Sequence, residues 1–96
     1  MRESELQSKV VALIKELGLR SWHCVNMRGS QPGWPDLVIF GPKGVIFREL
    51  KTNDGIVKPE QREWGAVIRK AGCDWDVWRT RDWETKRILG ELINLR

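Results

Sequence analysis

The chain has 96 residues with 17 Lys and Arg against 13 Asp and Glu, a formal net charge of +4, which fits a single domain over residues 1–96 and leaves no room for a second. A composition of 41% hydrophobic and 31% charged residues excludes wholesale disorder, and no apolar run approaches the roughly 18 residues of a membrane-spanning helix. Two distant cysteines (Cys24, Cys73), one histidine (His23) and no tyrosine exclude a disulfide framework, a His-rich metal site and a tyrosine nucleophile.

The polar start Met1-Arg2-Glu3-Ser4-Glu5 does not read as a secretory signal, and with the cysteine usage it points to a cytoplasmic, reducing setting. Leu6, Val10, Leu13, Ile14 and Leu17 then recur at the helical period and predict a helix over 4–17. Ser4-x-x-Gln7 is a capping-box pattern at its start, and Gly18 suits its end. Arg20 to Val25 reads as a weakly patterned strand, and Asn26 to Pro35 as loop. Two strand-like runs follow, Asp36–Phe40 and Val45–Lys51, separated by Gly41-Pro42-Lys43-Gly44 as in a hairpin. After a polar loop to Lys58, Pro59 sits where a first helical turn accepts proline. Trp64, Val67, Ile68 and Ala71 form the apolar stripe of that helix, and Gly72 ends it. Asp76 to Thr80 is a further strand, and Asp82 resembles the N-cap of a last helix carrying Ile88, Leu89, Leu92 and Ile93. The order, αβββαβ with a C-terminal helix, predicts an α/β domain whose central mixed sheet is flanked by helices.

The hairpin carries the chemistry. A register symmetric about Pro42 and Lys43 pairs Phe40 with Val45, Val38 with Phe47 and Asp36 with Glu49. Opposed Cβ atoms on one face stand roughly 4.5–5.5 Å apart, and Lys51 follows on the face of Glu49 after about 6.6 Å. Two carboxylates and an ammonium therefore converge at the open end of an apolar hairpin. Opposed like charges destabilise a sheet unless a cation lies between them, and Mg²⁺ is commonly held by one or two carboxylates with water and phosphate oxygens. The competing reading makes Asp36 a strand-starting turn residue and Glu49 and Lys51 a solvated edge, and a register slip of one residue would put Asp36 on the other face. Glu5 is either an acid at the positive end of its helix or an exposed partner of Lys9, and its spacing favours the latter. Gln61 shares the stripe of Trp64 at the mouth of its helix, as a site residue or a first-turn cap.

Gly33-Trp34-Pro35-Asp36-Leu37 followed by Phe47-Arg48-Glu49-Leu50-Lys51-Thr52 resembles the PD-(D/E)XK nuclease signature. Ser4-Glu5-Leu6-Gln7 and Lys58-Pro59-Glu60-Gln61-Arg62-Glu63-Trp64 extend the resemblance to the VRR-NUC family over nearly the whole chain. The resemblance implies a restriction-endonuclease-like core and metal-dependent hydrolysis of DNA phosphodiesters, often at branched, flapped or junction DNA. It implies that Glu5, Asp36, Glu49 and the Leu50 carbonyl bind Mg²⁺, with Mn²⁺ able to substitute. In the same pattern Lys51 activates or orients water and Gln61 supports the site. It also implies a phage-type protein acting as a homodimer, with no small-molecule cofactor and no membrane. Trp34 departs from the pattern, where a smaller aliphatic residue is usual.

Ten basic residues could meet phosphates: Arg28, Lys43, Lys58, Arg62, Arg69, Lys70, Arg79, Arg81, Lys86 and Arg87. Arg28, Lys58 and Arg62 are the chosen DNA contacts, Arg28 and Lys58 because they lie on loops beside the proposed site. The modest charge predicts salt-dependent binding with little base readout. Trp64 reads as core, whereas Trp75, Trp78 and Trp83 could serve core, interface or DNA stacking. Two rival readings remain: a DNA-binding module of the same fold that does not cleave and acts with a partner, and a small interaction protein with a tryptophan surface. The clustered acids favour an enzyme, because they would repel phosphate in a purely binding protein.

Overall fold

The computed structural model describes residues 1–23 and 32–96. Helix α1 (Glu3–Glu16) leads into strand β1 (Arg20–His23), the hairpin of β2 (Leu37–Gly41) and β3 (Gly44–Lys51), helix α2 (Pro59–Lys70), strand β4 (Asp74–Arg79), and the short helices α3 (Thr80–Glu84) and α4 (Arg87–Ile93). The strands form one mixed sheet in the order β1-β2-β3-β4. The β1–β2 and β2–β3 pairs are antiparallel, and β3–β4 is parallel across the α2 crossover. Among the described residues no helix is long and apolar enough to cross a membrane.

Strand alternation divides the chain between two layers. Leu37, Ile39, Ile46, Leu50 and Trp78 point to one face, where α1 supplies Leu6, Val10 and Ile14 and the C-terminal helices supply Ile88 and Leu92. That apolar cluster is the main core. The opposite face carries Val38, Phe47 and Trp75 and is covered by α2. Gly65 makes the α2 contact possible, since an ideal Cβ there would stand 2.7 Å from ring carbons of Trp75. The α2 stripe is accordingly turned from its expected position: Gly65 and Ile68 are buried, while Val67 is 58% exposed.

The hairpin register is as expected, with Phe40 opposite Val45 and Val38 opposite Phe47, and the ladder runs out at Leu37 and Arg48. Other boundaries differ. Helix α1 begins at Glu3, and its N-cap Arg2 makes no side-chain cap bond, so Ser4 is an interior first-turn residue rather than a cap. Strand β4 starts two residues earlier than its pattern suggested. The last helix is two helices, divided at Lys86, whose φ of 67° is left-handed. Asp82 does not precede α3 but lies within it, and its carboxylate accepts the Arg79 N–H at 2.7 Å.

Arg48 is a charge in the core layer, 3% exposed. Burial of a guanidinium is tolerable only with partners for its donors. Arg48 donates to Glu91 at 2.7 Å and Asp74 at 3.0 Å, and its guanidinium stacks 5.3 Å from the Trp78 ring centroid. The Trp78 indole N–H donates to the same Glu91 oxygen at 3.1 Å. Trp78 is thus a core residue with its polar edge satisfied, and Trp83 packs half-buried against the same cluster.

Candidate active site

The open end of the hairpin gathers four of the expected residues. Asp36 lies immediately before β2, and its Oδ2 accepts the Leu50 backbone N–H at 2.8 Å. This bond ties the residue ahead of β2 to the middle of the Glu49-Leu50-Lys51 run. Glu49 is 1% exposed and Lys51 8%, so the bland picture of a solvated strand edge does not hold for either. Gln61 completes the group. Its Nε2 donates to Glu49 Oε1 at 2.9 Å, and its Oε1 accepts the Lys58 N–H at 2.8 Å. Both ends of the amide are engaged, so Gln61 is a helix cap and a site residue at once.

Local sequence explains why these pieces meet. Gly33 has φ +91°, and an ideal Cβ on it would lie 2.4 Å from the Glu60 carbonyl carbon and 2.8 Å from the Gln61 nitrogen. Only glycine allows that approach without displacement. The glycine brings the loop carrying Asp36 against the first turn of α2, which carries Gln61. Trp34 fixes the same junction by packing edge-on against Trp64 at 5.0 Å and Phe47 at 6.1 Å. The atypical tryptophan therefore faces inward, as filling between the loop, α2 and the sheet.

The electrostatics of the pair are unusual. Burial beside Asp36 pushes the Glu49 carboxyl up from 4.5 to about 9, through desolvation first, then hydrogen bonding to Asp36 and repulsion from its charge, against an opposing pull from Lys51. As an ionised group, Glu49 would leave its buried Oε2 with no donor among the described residues. As an acid, it donates to Asp36. The fold without a cation thus holds a proton where two carboxylates meet, the behaviour of acids sharing one site.

Two expectations are corrected in position. Glu5 is exposed and stands apart from the acid pair: its Oε1 accepts the Arg2 Nε–H at 3.0 Å, which holds its carboxyl below the usual range. Its partner is Arg2, not Lys9. The α1 acid whose charge bears on Glu49 is Glu3. Glu3 is itself exposed, but it stands at helical i to the i+3 and i+7 positions of the buried Leu6 and Val10. Glu5 points about 200° away from Glu3 around the helix. Among the described residues no three His, Cys, Asp or Glu side chains form a metal-holding group, so the triad of Glu5, Asp36 and Glu49 does not assemble.

Of the expected DNA contacts, Lys58 is exposed at the start of α2, Arg62 is exposed on its first turns, and Arg28 lies outside the described residues. Trp75 is buried under α2.

The VRR-NUC domain family model matches residues 1–82. Two solved structures share the fold. One, described as a VRR-NUC domain, is 23% identical with a TM-score of 0.71 over 88% of this chain and 91% of its own. The other, a VRR-NUC domain protein, is 21% identical with a TM-score of 0.75 over 100% of this chain and 91% of its own. The comparison with curated protein sequences gives no match. With the family match spanning most of the chain and the signature carboxylates, lysine and glutamine converging at one end of the sheet, the protein belongs to the VRR-NUC family of nuclease domains.

Proposed function

We propose that the protein is a metal-dependent DNA endonuclease selective for branched, flapped or junction DNA. The observation that carries the reading is the buried Glu49 beside a half-buried Asp36, with Lys51 on the same strand face and Gln61 donating to Glu49. The donor set suits a divalent ion. Glu49 Oε2 is a buried oxygen with no partner among the described residues, the pair retains a proton in place of a cation, and carboxylate oxygens are the ligands Mg²⁺ prefers. Asp36, Glu49 and the Leu50 carbonyl would hold Mg²⁺ or Mn²⁺, with Glu3 better placed than Glu5 to add charge.

When bound, such an ion neutralises phosphate charge and lowers the pKa of a bound water. The chain's own residues do the rest. Gln61 fixes the rotamer of Glu49, the Leu50 N–H fixes Asp36, and Lys51 directs an ammonium to the face on which water and phosphate would meet. A homodimer, offering two sites to two strands, belongs to the same reading. It is supported by Trp22 and Phe40, 46% and 49% exposed, which β1–β2 pairing places on the sheet face that α2 covers. A sedimentation mass of one chain would remove that part.

The test is incubation with Mg²⁺ or Mn²⁺ and a panel of duplex, single-stranded, flap and four-way DNAs. Cleavage is expected with metal and none in EDTA, with branched substrates cut fastest. Asp36→Asn should weaken metal binding by about tenfold or more, as removing one of two carboxylates implies. Equal metal affinity in wild type and Asp36→Asn, or no cleavage of any substrate, would turn the assignment to the alternative, a non-cleaving DNA-binding module that needs a partner.

A further inference from the structure

Beside the acid pair, on the α2 side of the sheet, a groove of about 620 Å³ runs between α2 and the 52–57 loop. Among the described residues its charged lining is Arg62, Arg69 and Arg79, with no acid. Val77 and Arg79 on its floor are the β-ladder partners of Glu49 and Lys51, so the groove begins one strand spacing, about 4.8 Å, from the proposed catalytic residues.

The three arginines are not equivalent. Arg79 Nη1 donates to the Thr52 and Gly55 carbonyls at 2.8 and 2.7 Å, which holds the loop as one wall. Arg69 Nε donates to the Trp75 carbonyl at 3.0 Å, and its guanidinium lies 5.1 Å from the centroid of that indole. Its Nη2 is 3.9 Å from Asp76, an outlying ion pair. Arg62 makes no ion pair among the described residues. Trp75 adds a second, independent observation: it is 7% exposed, and its indole N–H is buried with no acceptor among the described residues. Guanidinium and indole groups can only donate. Every polar side chain that the described residues bring to the groove is therefore a donor, and a buried donor without an acceptor is costly. At the rim Ile56, 80% exposed, offers an apolar contact to a sugar edge.

We propose that this groove binds the phosphodiester next to the scissile one in a DNA strand, with Arg62 and Arg69 as its charged contacts and the Trp75 indole N–H as a neutral donor. The inference rests on the nuclease reading for its substrate, and it deepens that reading by giving the bound strand a direction across β3 and β4. Arg79 acts through the loop it holds and is a positioning residue.

The experiment measures binding of a labelled branched DNA duplex in EDTA, where nothing is cleaved, across a salt series. Each lost phosphate contact reduces the slope of log K against log salt by about 0.9. Arg62→Ala should show that reduction with unchanged circular dichroism, and Arg69→Ala likewise where it folds. Lys15→Ala, on the α1 side of the sheet, should keep the wild-type slope. Trp75→Phe should weaken binding at constant slope, because it removes a donor and no charge. A wild-type slope in Arg62→Ala, or an equal loss in Lys15→Ala, overturns the groove while cleavage in Mg²⁺ leaves the nuclease reading standing. A reduced slope in a protein that cuts no DNA does the reverse.

Discussion

Lys51→Ala should lower the rate of metal-dependent DNA cleavage by about 10²–10⁴-fold, the range for removing a positioned proton-transfer or water-orienting group. Lys51 is buried on the same strand face as Glu49, and its charge draws the Glu49 carboxyl downward. Deleting it removes a cation where negative charge develops and also makes Glu49 harder to ionise. The two effects separate in the substitutions. Lys51→Arg keeps the charge but replaces a compact ammonium with a wide planar fork, so it should retain folding and restore Glu49 ionisation while recovering only part of the rate. Single-turnover cleavage at saturating metal measures this. A Lys51→Ala rate equal to wild type would remove the lysine from the mechanism.

Glu49→Gln should have the largest effect on stability, and in the stabilising direction. Folding raises the Glu49 pKa from 4.5 to about 9, so the folded state binds this proton more tightly than the unfolded chain. The contribution is therefore complete below about pH 4.5 and is lost as pH rises toward 9. At 1.36 kcal/mol per pKa unit, the metal-free protein gives up at most about 3 kcal/mol by pH 7. A glutamine imitates the protonated form, with Oε1 for the Gln61 amide and an N–H for Asp36. In EDTA the variant should be more stable than wild type at pH 8, with little difference at pH 4. Mg²⁺ should raise wild-type stability at pH 8 by occupying the ionised pair and leave the variant unmoved. Urea midpoints at the two pH values, with and without metal, decide this; parallel pH dependence in the two proteins would show that Glu49 titrates normally. The exchange of stability for a charged pair is the pattern expected where function sets the residue.

The hairpin was legible because two strong β runs flank a short turn whose symmetry fixes register, and register alone brought Asp36, Glu49 and Lys51 to one end. Gln61 was half legible, since a polar residue on an apolar stripe signals a site without naming its partner. What escaped has physical reasons. The α2 stripe was misplaced because its closest contact is Gly65, and an absent side chain contributes nothing to a hydrophobic pattern. The division between α3 and α4 turns on a left-handed Lys86, a conformation that lysine does not advertise. Glu3 and Glu5 sit two residues apart and are both exposed, and the motif named Glu5 while it is the Glu3 charge that acts on Glu49. The Trp75 groove could not be read at all, because it is assembled from α2, β4 and a loop that meet only in the fold.

The ion cluster around Arg48 also ties the C-terminal helix to the site strand. The family match stops at residue 82, yet the anion that accepts the shortest Arg48 hydrogen bond is Glu91 of α4. Arg48 immediately precedes Glu49, so the strand bearing the proposed chemistry is neutralised from beneath by a helix past the end of that match. The last turns of this chain thereby supply the counter-ion of the strand that carries the proposed chemistry.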